Sequence, residues 1–126
     1  MPTKLTSIGA SAFLNCESLE SIDIPDTVTE IGDRAFVNSG LRMLVIPSSV
    51  TAVNYDLCNE NHNLNEVVFS PNTKSVEMTA FSGCSNLKNI DLPDGLEKIG
   101  KMAFLSSVNA RIYIPQSVTD IEKKGI

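Results

Sequence analysis

The sequence predicts a solenoid, a stack of about five units of 22 or 23 residues whose short strands lie side by side in a parallel sheet. Three observations predict it. A Leu-x-x-Ile-x-Ile-Pro pattern recurs at Leu19, Ile22, Ile24 and Pro25; at Leu41, Leu44, Ile46 and Pro47; at Leu64, Val67 and Phe69; at Leu87, Ile90, Leu92 and Pro93; and more weakly from Asn109 through Ile112, Ile114 and Pro115. A second pattern follows it: Leu5, Ile8, Gly9, Ala12 and Phe13 are matched by Val28, Ile31, Gly32, Ala35 and Phe36, and by Leu96, Ile99, Gly100, Ala103 and Phe104. Finally, the last two apolar residues of the first pattern enclose one variable residue, and this period of two belongs to a strand.

Each element of the unit has a physical reason. The alternation predicts strands near residues 20–24, 42–46, 65–69, 88–92 and 110–114, with the enclosed residue pointing outward. Proline ends each strand because it has no N–H for the ladder. The Ile-Gly segment predicts a second extended stretch that turns at Gly9, Gly32 and Gly100. The Ala-Phe-x-x-Cys segment, on the side opposite the sheet, is expected to form short helical or extended turns, and is compatible with one helical turn whose Ala and Phe face inward. No unit buries its apolar side alone, so neighbouring units must supply the cover.

Stacking would then assemble columns. Ile22, Leu44, Val67, Ile90 and Ile112 form one interior column, and Ile24, Ile46, Phe69, Leu92 and Ile114 a second. Phe13, Phe36, Phe81 and Phe104 form an aromatic spine on the opposite side. A column of mostly small residues follows at Cys16, Ser39, Asn61, Cys84 and Ser107. The unit from Leu41 to Asn63 departs from the pattern, with Asn54 for the glycine and Cys58 for the phenylalanine. In the unit from Leu64, Ser70 replaces the proline and Glu77 the glycine. These two units are expected to stack less regularly.

The combination of Ile-Pro, Ile-Gly and Ala-Phe-x-x-Cys features resembles the BspA-like class of leucine-rich repeats, and the resemblance covers essentially the whole chain. It implies a right-handed leucine-rich repeat solenoid. It further implies adhesion to a host or extracellular-matrix protein, at the cell surface or after secretion.

The 126 residues suit a single leucine-rich repeat domain over residues 1–126. Pro2 aligns with Pro25 and Ile121 with Ile31, so the chain enters and leaves in mid-unit. The expectation is a segment of a longer array. Uncapped solenoid ends expose apolar edges and unpaired strand groups, which predicts fraying before about Leu5 and after about Ile121, or end-to-end self-association.

A net charge of -5 opposes nucleic acid as a partner, because binding phosphates needs clustered Lys and Arg, and only Lys123 and Lys124 are adjacent. No apolar run reaches the roughly 18 residues of a spanning helix, and the first residues carry no signal-peptide hydrophobic region. Membrane insertion is therefore not expected.

No enzyme or cofactor is read from the chain. His62 has no catalytic partner assignable from spacing. Cys16 and Cys84 share a column three units apart, roughly 14 Å at about 4.8 Å per strand, beyond the reach of a disulfide. Cys58, in the phenylalanine column, would face another part of the core. Asp26, Asp94 and Asp120 are dispersed over turns, unlike calcium ligands converging from one loop.

The outward strand positions remain: Ser21 and Asp23, Met43 and Val45, Glu66 and Val68, Asn89 and Asp91, Arg111 and Tyr113. Polar residues are ordinary on an exposed face. Met43, Val45 and Val68 are not, and they predict an apolar patch rimmed by Asp23, Glu66 and Asp91, with Arg111 and Tyr113 as flanking anchors for a protein partner. A passive spacer array is the alternative reading.

Overall fold

The computed structural model describes residues 4–107 and 110–125; among these residues all strand pairing is parallel and there is no helix. The Ile-x-Ile motif gives β3 (Met43–Val45), β5 (Glu66–Val68), β7 (Asn89–Asp91) and β9 (Arg111–Tyr113). The Ile-Gly motif gives six two-residue strands: β1 (Ser7–Ile8), β2 (Glu30–Ile31), β4 (Ala52–Val53), β6 (Ser75–Val76), β8 (Lys98–Ile99) and β10 (Asp120–Ile121). The result is the parallel β-solenoid that the repeats predict, with strands from both motifs.

The ladders are shorter than predicted. On the Ile-x-Ile side β3 pairs with β5 and β7 with β9, as two separate two-stranded sheets. Residues 20–24 form no strand and are tied to the next unit by the Arg42 N–H donating to the Glu20 carbonyl at 3.1 Å. Ile22 and Ile24 there are only half-buried, with a neighbouring unit on one side alone. Between β5 and β7 the ladder opens at the unit where Phe69 and Ser70 stand in place of Ile-Pro.

The Ile-Gly side shows why a ladder stops. β4, β6, β8 and β10 form one sheet and β1 pairs with β2, but β2 and β4 do not pair. Elsewhere the residue after the strand donates its backbone N–H to the unit before: Gly32 to Ile8 at 2.8 Å, Glu77 to Val53 at 2.8 Å, and Gly100 to Val76 at 2.7 Å. At Asn54 the side-chain amide takes that role, donating to the Ile31 carbonyl at 2.6 Å. Two of the three glycines serve close approach: a Cβ on Gly32 would meet Ala10 N at 2.5 Å and one on Gly100 would meet Met78 N at 2.5 Å, whereas one on Gly9 would meet nothing within 4 Å.

The Ala-Phe segment is a ribbon of turns with no helix, so of the helical and extended turns expected here the helical form is not taken. In the first unit, Ala12, Leu14 and Cys16 donate back three residues, to Gly9, Ser11 and Phe13, at 3.1–3.3 Å. Ser11, Phe13 and Asn15 instead donate to Asp33, Ala35 and Val37 of the next unit, at 2.8–2.9 Å. A helix would have turned all of these N–H groups onto its own carbonyls and left none for stacking. The ribbon needs left-handed backbone in each unit, at Ser11 and Asn15, Arg34 and Asn38, Asp56 and Glu60, Thr79 and Gly83, and Met102 and Ser106. Only Gly83 adopts that conformation without steric cost.

The core is one apolar cluster running from Ile8 to Phe104. Leu44, Val67 and Ile90 are buried in the first interior column, as are Ile46, Phe69 and Leu92 in the second. Ile112 is half-buried and Ile114 is 38% exposed, since no later unit of this chain covers them. The aromatic spine is two stacked pairs, Phe13 on Phe36 at 5.5 Å and Phe81 on Phe104 at 5.6 Å, interrupted by the buried Cys58. Phe69 meets Phe81 edge-on at 5.8 Å. Of the regions expected to fray, residues 1–3 and 126 lie outside the described residues, as does Asn109 of the weak fifth repeat, and Ile121 is paired with Ile99.

One core position is mismatched. Thr73 stands in the column of Val28 and Val50, fully buried, and its hydroxyl has no hydrogen-bond partner. Two substitutions should therefore move a thermal or urea melt in opposite directions. Thr73→Val, nearly isosteric, should stabilise the fold by about 1 kcal/mol by removing an unsatisfied buried hydroxyl. Phe81→Ala should destabilise it by about 3–5 kcal/mol through loss of buried area and an unfilled cavity. A melt that ignores Phe81→Ala would contradict the buried spine.

Candidate functional site

The strand face presents the predicted residues in two groups. Across β3 and β5, Met43 lies opposite Glu66 and Val45 opposite Val68, all with side chains outward. Met43, Val45 and Val68 are 42%, 48% and 40% exposed, so the three form a contiguous apolar strip on the surface. Across β7 and β9, Asn89 lies opposite Arg111 and Asp91 opposite Tyr113, whose ring is 69% exposed. Asp23 is exposed but belongs to neither ladder, since residues 20–24 form no strand. Each side chain faces outward for the reason read from the sequence: along a strand it alternates with the inward Leu44, Val67, Ile90 or Ile112.

Between the two groups lies a feature that the sequence did not announce. Where β5 and β7 fail to pair, a cleft of about 280 Å³ opens, lined by Asn65, Glu66, Val67, Lys88, Asn89 and Asp91. Glu66 and Asp91, expected as a rim, thus stand at this cleft beside the apolar strip, with Lys88 adding a cation. Only the replacement of Ile-Pro by Phe69 and Ser70 hinted at an irregularity here.

A second concavity occupies the corner between the Ile-Gly strands and the turn ribbon. It is a groove of about 560 Å³ lined by Asp33, Asn54, Tyr55, Glu77, Met78, Lys98 and Glu122. The Lys98 ammonium lies 3.3 Å from Glu77 Oε1 and 3.3 Å from Glu122 Oε1, so it links three successive units. Its hydrogen bonds to Glu77 and then Glu122 raise its pKa. The substitution of glycine by Asn54, Glu77 and Glu122 in one column was the legible signal for this groove.

The remaining candidates for chemistry are structural. His62 does have a partner, Glu60, with Nε2 3.1 Å from Oε2, but both side chains are more than half exposed and no nucleophile joins them. The three cysteines are free. Cys84 and Cys58 lie closer together than their columns suggested, the Cys84 thiol donating to the Cys58 carbonyl at 3.1 Å. Among the described residues no group of three or more His, Cys, Asp or Glu could hold a metal ion. No helix among them is long and apolar enough to cross a membrane.

A stack of parallel-strand units with two variable outward rows is the architecture of a repeat module. The chain belongs to the BspA type leucine rich repeat family, whose model matches residues 1–76 and 54–125 in six copies. No curated protein matches it in sequence. Among solved structures it is similar to a leucine-rich repeat protein from Eubacterium ventriosum, 31% identical with a TM-score of 0.90 over 99% of this chain and 34% of that one. It is also similar to a leucine rich cell surface protein from Faecalibacterium prausnitzii, 26% identical with a TM-score of 0.82 over 100% of this chain and 31% of that one. A leucine-rich repeat protein from Bacteroides ovatus shares the fold at 22% identity and a TM-score of 0.59, over 96% of this chain and 43% of its own. The chain thus spans less than half the length of each. Family and fold suggest a protein-interaction or structural repeat module, a class that is typically non-enzymatic.

Burial makes the thiols a source of pH dependence. It pushes the Cys58 thiol well up, with Cys84 nearby adding to the effect, and it pushes Cys84 up to about 12, with the Asn61 N–H opposing and Glu60 assisting. The unfolded chain ionises these thiols near 9.0, whereas the folded chain ionises Cys84 only near 12 and Cys58 is likewise raised, so their contribution is whole below about pH 9 and is lost as pH rises through that window. Urea titrations between those limits should show stability falling with pH, less steeply in Cys84→Ser, whose hydroxyl keeps a donor but does not ionise there. Parallel slopes for the two proteins would rule the thiols out.

Proposed function

We propose that the chain is a protein-interaction module that engages a protein partner through the outward face of β3 and β5, in an adhesive role at the cell surface. The observation that carries this reading is the register of Val45 against Val68 beside Met43. Three large apolar side chains, each at least 40% exposed, lie together where a merely solvated face needs none. Glu66 and Asp91 border the strip and disfavour acidic ligands, while Tyr113 and Arg111 stand beyond the cleft as flanking anchors. A host or extracellular-matrix protein fits the family resemblance, and the cell-surface placement is supported by the description of the Faecalibacterium prausnitzii structure. Hydrophobic contacts at the centre set the lifetime of such a complex and charges at the rim set its salt dependence.

Val45→Asp and Val68→Asp should therefore abolish capture of candidate host or matrix proteins on a sensor surface while leaving the circular dichroism unchanged, because both side chains point away from the core. Glu66→Lys should shift the salt dependence more than the dissociation rate. Normal binding by both folded Val→Asp variants would place the contact elsewhere, and no binding by the parent chain would favour a passive spacer.

A further inference from the structure

The groove at the corner of the solenoid is a separate site on a different face, and its composition is specific. All five phenylalanines belong to the core columns, so the two tyrosines are the aromatics left for the surface, and Tyr55 lines the larger concavity. Its ring is held from one side. The Arg34 guanidinium lies 5.0 Å from the ring centroid, and Arg34 is itself placed by Asp56, with Nε 3.6 Å from Oδ2. Asp56 is fixed in turn by the Thr79 hydroxyl at 2.6 Å and the Asn59 amide at 3.0 Å. The Arg34 guanidinium over the ring restrains Tyr55 where it lines the groove, which lowers the ordering cost of a stacked ligand.

The walls are equally fixed and are dense in hydrogen-bonding groups. Glu77 and Glu122 are held by Lys98 between them, leaving acceptor positions on both carboxylates, and Asp33 adds an unpaired carboxylate. Met78, 41% exposed, extends the apolar floor from Tyr55 in the neighbouring unit. An apolar, electron-rich ring face beside paired carboxylates matches a pyranose. The C–H bonds on one sugar face are drawn to the negative face of the ring, and the hydroxyls at the sugar edge donate to carboxylates. The groove crosses several units, and one strand spacing of about 4.8 Å is close to the length of one sugar residue, so a linear chain can run along it. Three carboxylates against one ammonium exclude sulfated or uronic-acid chains.

We propose that this groove binds a neutral linear saccharide, with Tyr55 as its stacking platform and Asp33, Glu77 and Glu122 as acceptors for its hydroxyls. The test is a titration of the intact chain with neutral oligosaccharides (cello-, xylo-, manno- and chito-oligomers), followed by tyrosine fluorescence and calorimetry, with heparin and poly-lysine as comparators. At least one neutral series should bind, and heparin should not. Tyr55→Ala should weaken that binding about tenfold or more, equal to ~1.4 kcal/mol. Tyr55→Phe should retain it, since stacking needs the ring alone, and Asp56→Asn should weaken it by loosening the support of Arg34. Val45→Asp, on the strand face, should leave it unchanged. Failure of every neutral series, undiminished binding by folded Tyr55→Ala, or binding of poly-lysine alone would overturn the proposal, the last outcome assigning the groove to a basic polypeptide.

Discussion

Everything in this molecule depends on the backbone bonds that one unit makes to the next. In the turn ribbon, alternate N–H groups close local turns and the others reach across to the following unit, as Phe13 does to Ala35, Phe36 to Leu57 and Phe81 to Ala103. Buried backbone donors must be satisfied, and this alternation satisfies them without a helix. It also sets the spacing at which side chains of equal rank lie on one another. The phenylalanine pairs and the columns of Leu, Ile and Val are consequences of that spacing, and none would be buried in an isolated unit.

The same dependence makes each unit's irregularities visible in its neighbours. Asn54 satisfies the Ile31 carbonyl with its side chain, and the ladder between β2 and β4 is lost. Cys58 leaves the aromatic spine in two halves. In the small column, Asn61 is fully buried and is accommodated by donating to the Phe36 carbonyl at 2.6 Å while accepting from Ser39 at 2.5 Å. Among the buried polar residues described, Ser39, Asn61 and Ser70 find a partner in a neighbouring unit, and Thr73 has none for its hydroxyl.

Function is distributed on the faces that stacking leaves free. The strand face pairs an apolar strip with a polar cleft, and the corner groove pairs an ordered tyrosine with carboxylates. The cleft lies beside Phe69 and Ser70, and the corner groove is lined by Asn54, Glu77 and Glu122, positions where the repeat deviates from its own pattern. A solenoid of identical units would present uniform surfaces, so departures from the consensus are where this chain acquires individual chemistry.

The periodicity of the sequence determined the solenoid, the parallel strands, the inward columns and the outward placement of Met43, Val45, Glu66, Val68, Asp91, Arg111 and Tyr113. A period of two fixes which side a residue faces, and a repeat of 22 or 23 fixes which residues stack. The departures at Asn54 and at Phe69 and Ser70 marked the two units where the ladders break, whereas tertiary structure alone decided that the Ala-Phe segment is a turn ribbon, that Glu60 meets His62, and that Arg34 lies over Tyr55. These outcomes depend on which of several competing groups satisfies a given carbonyl or carboxylate. That choice depends on how neighbouring units are placed in space, which residue order does not record.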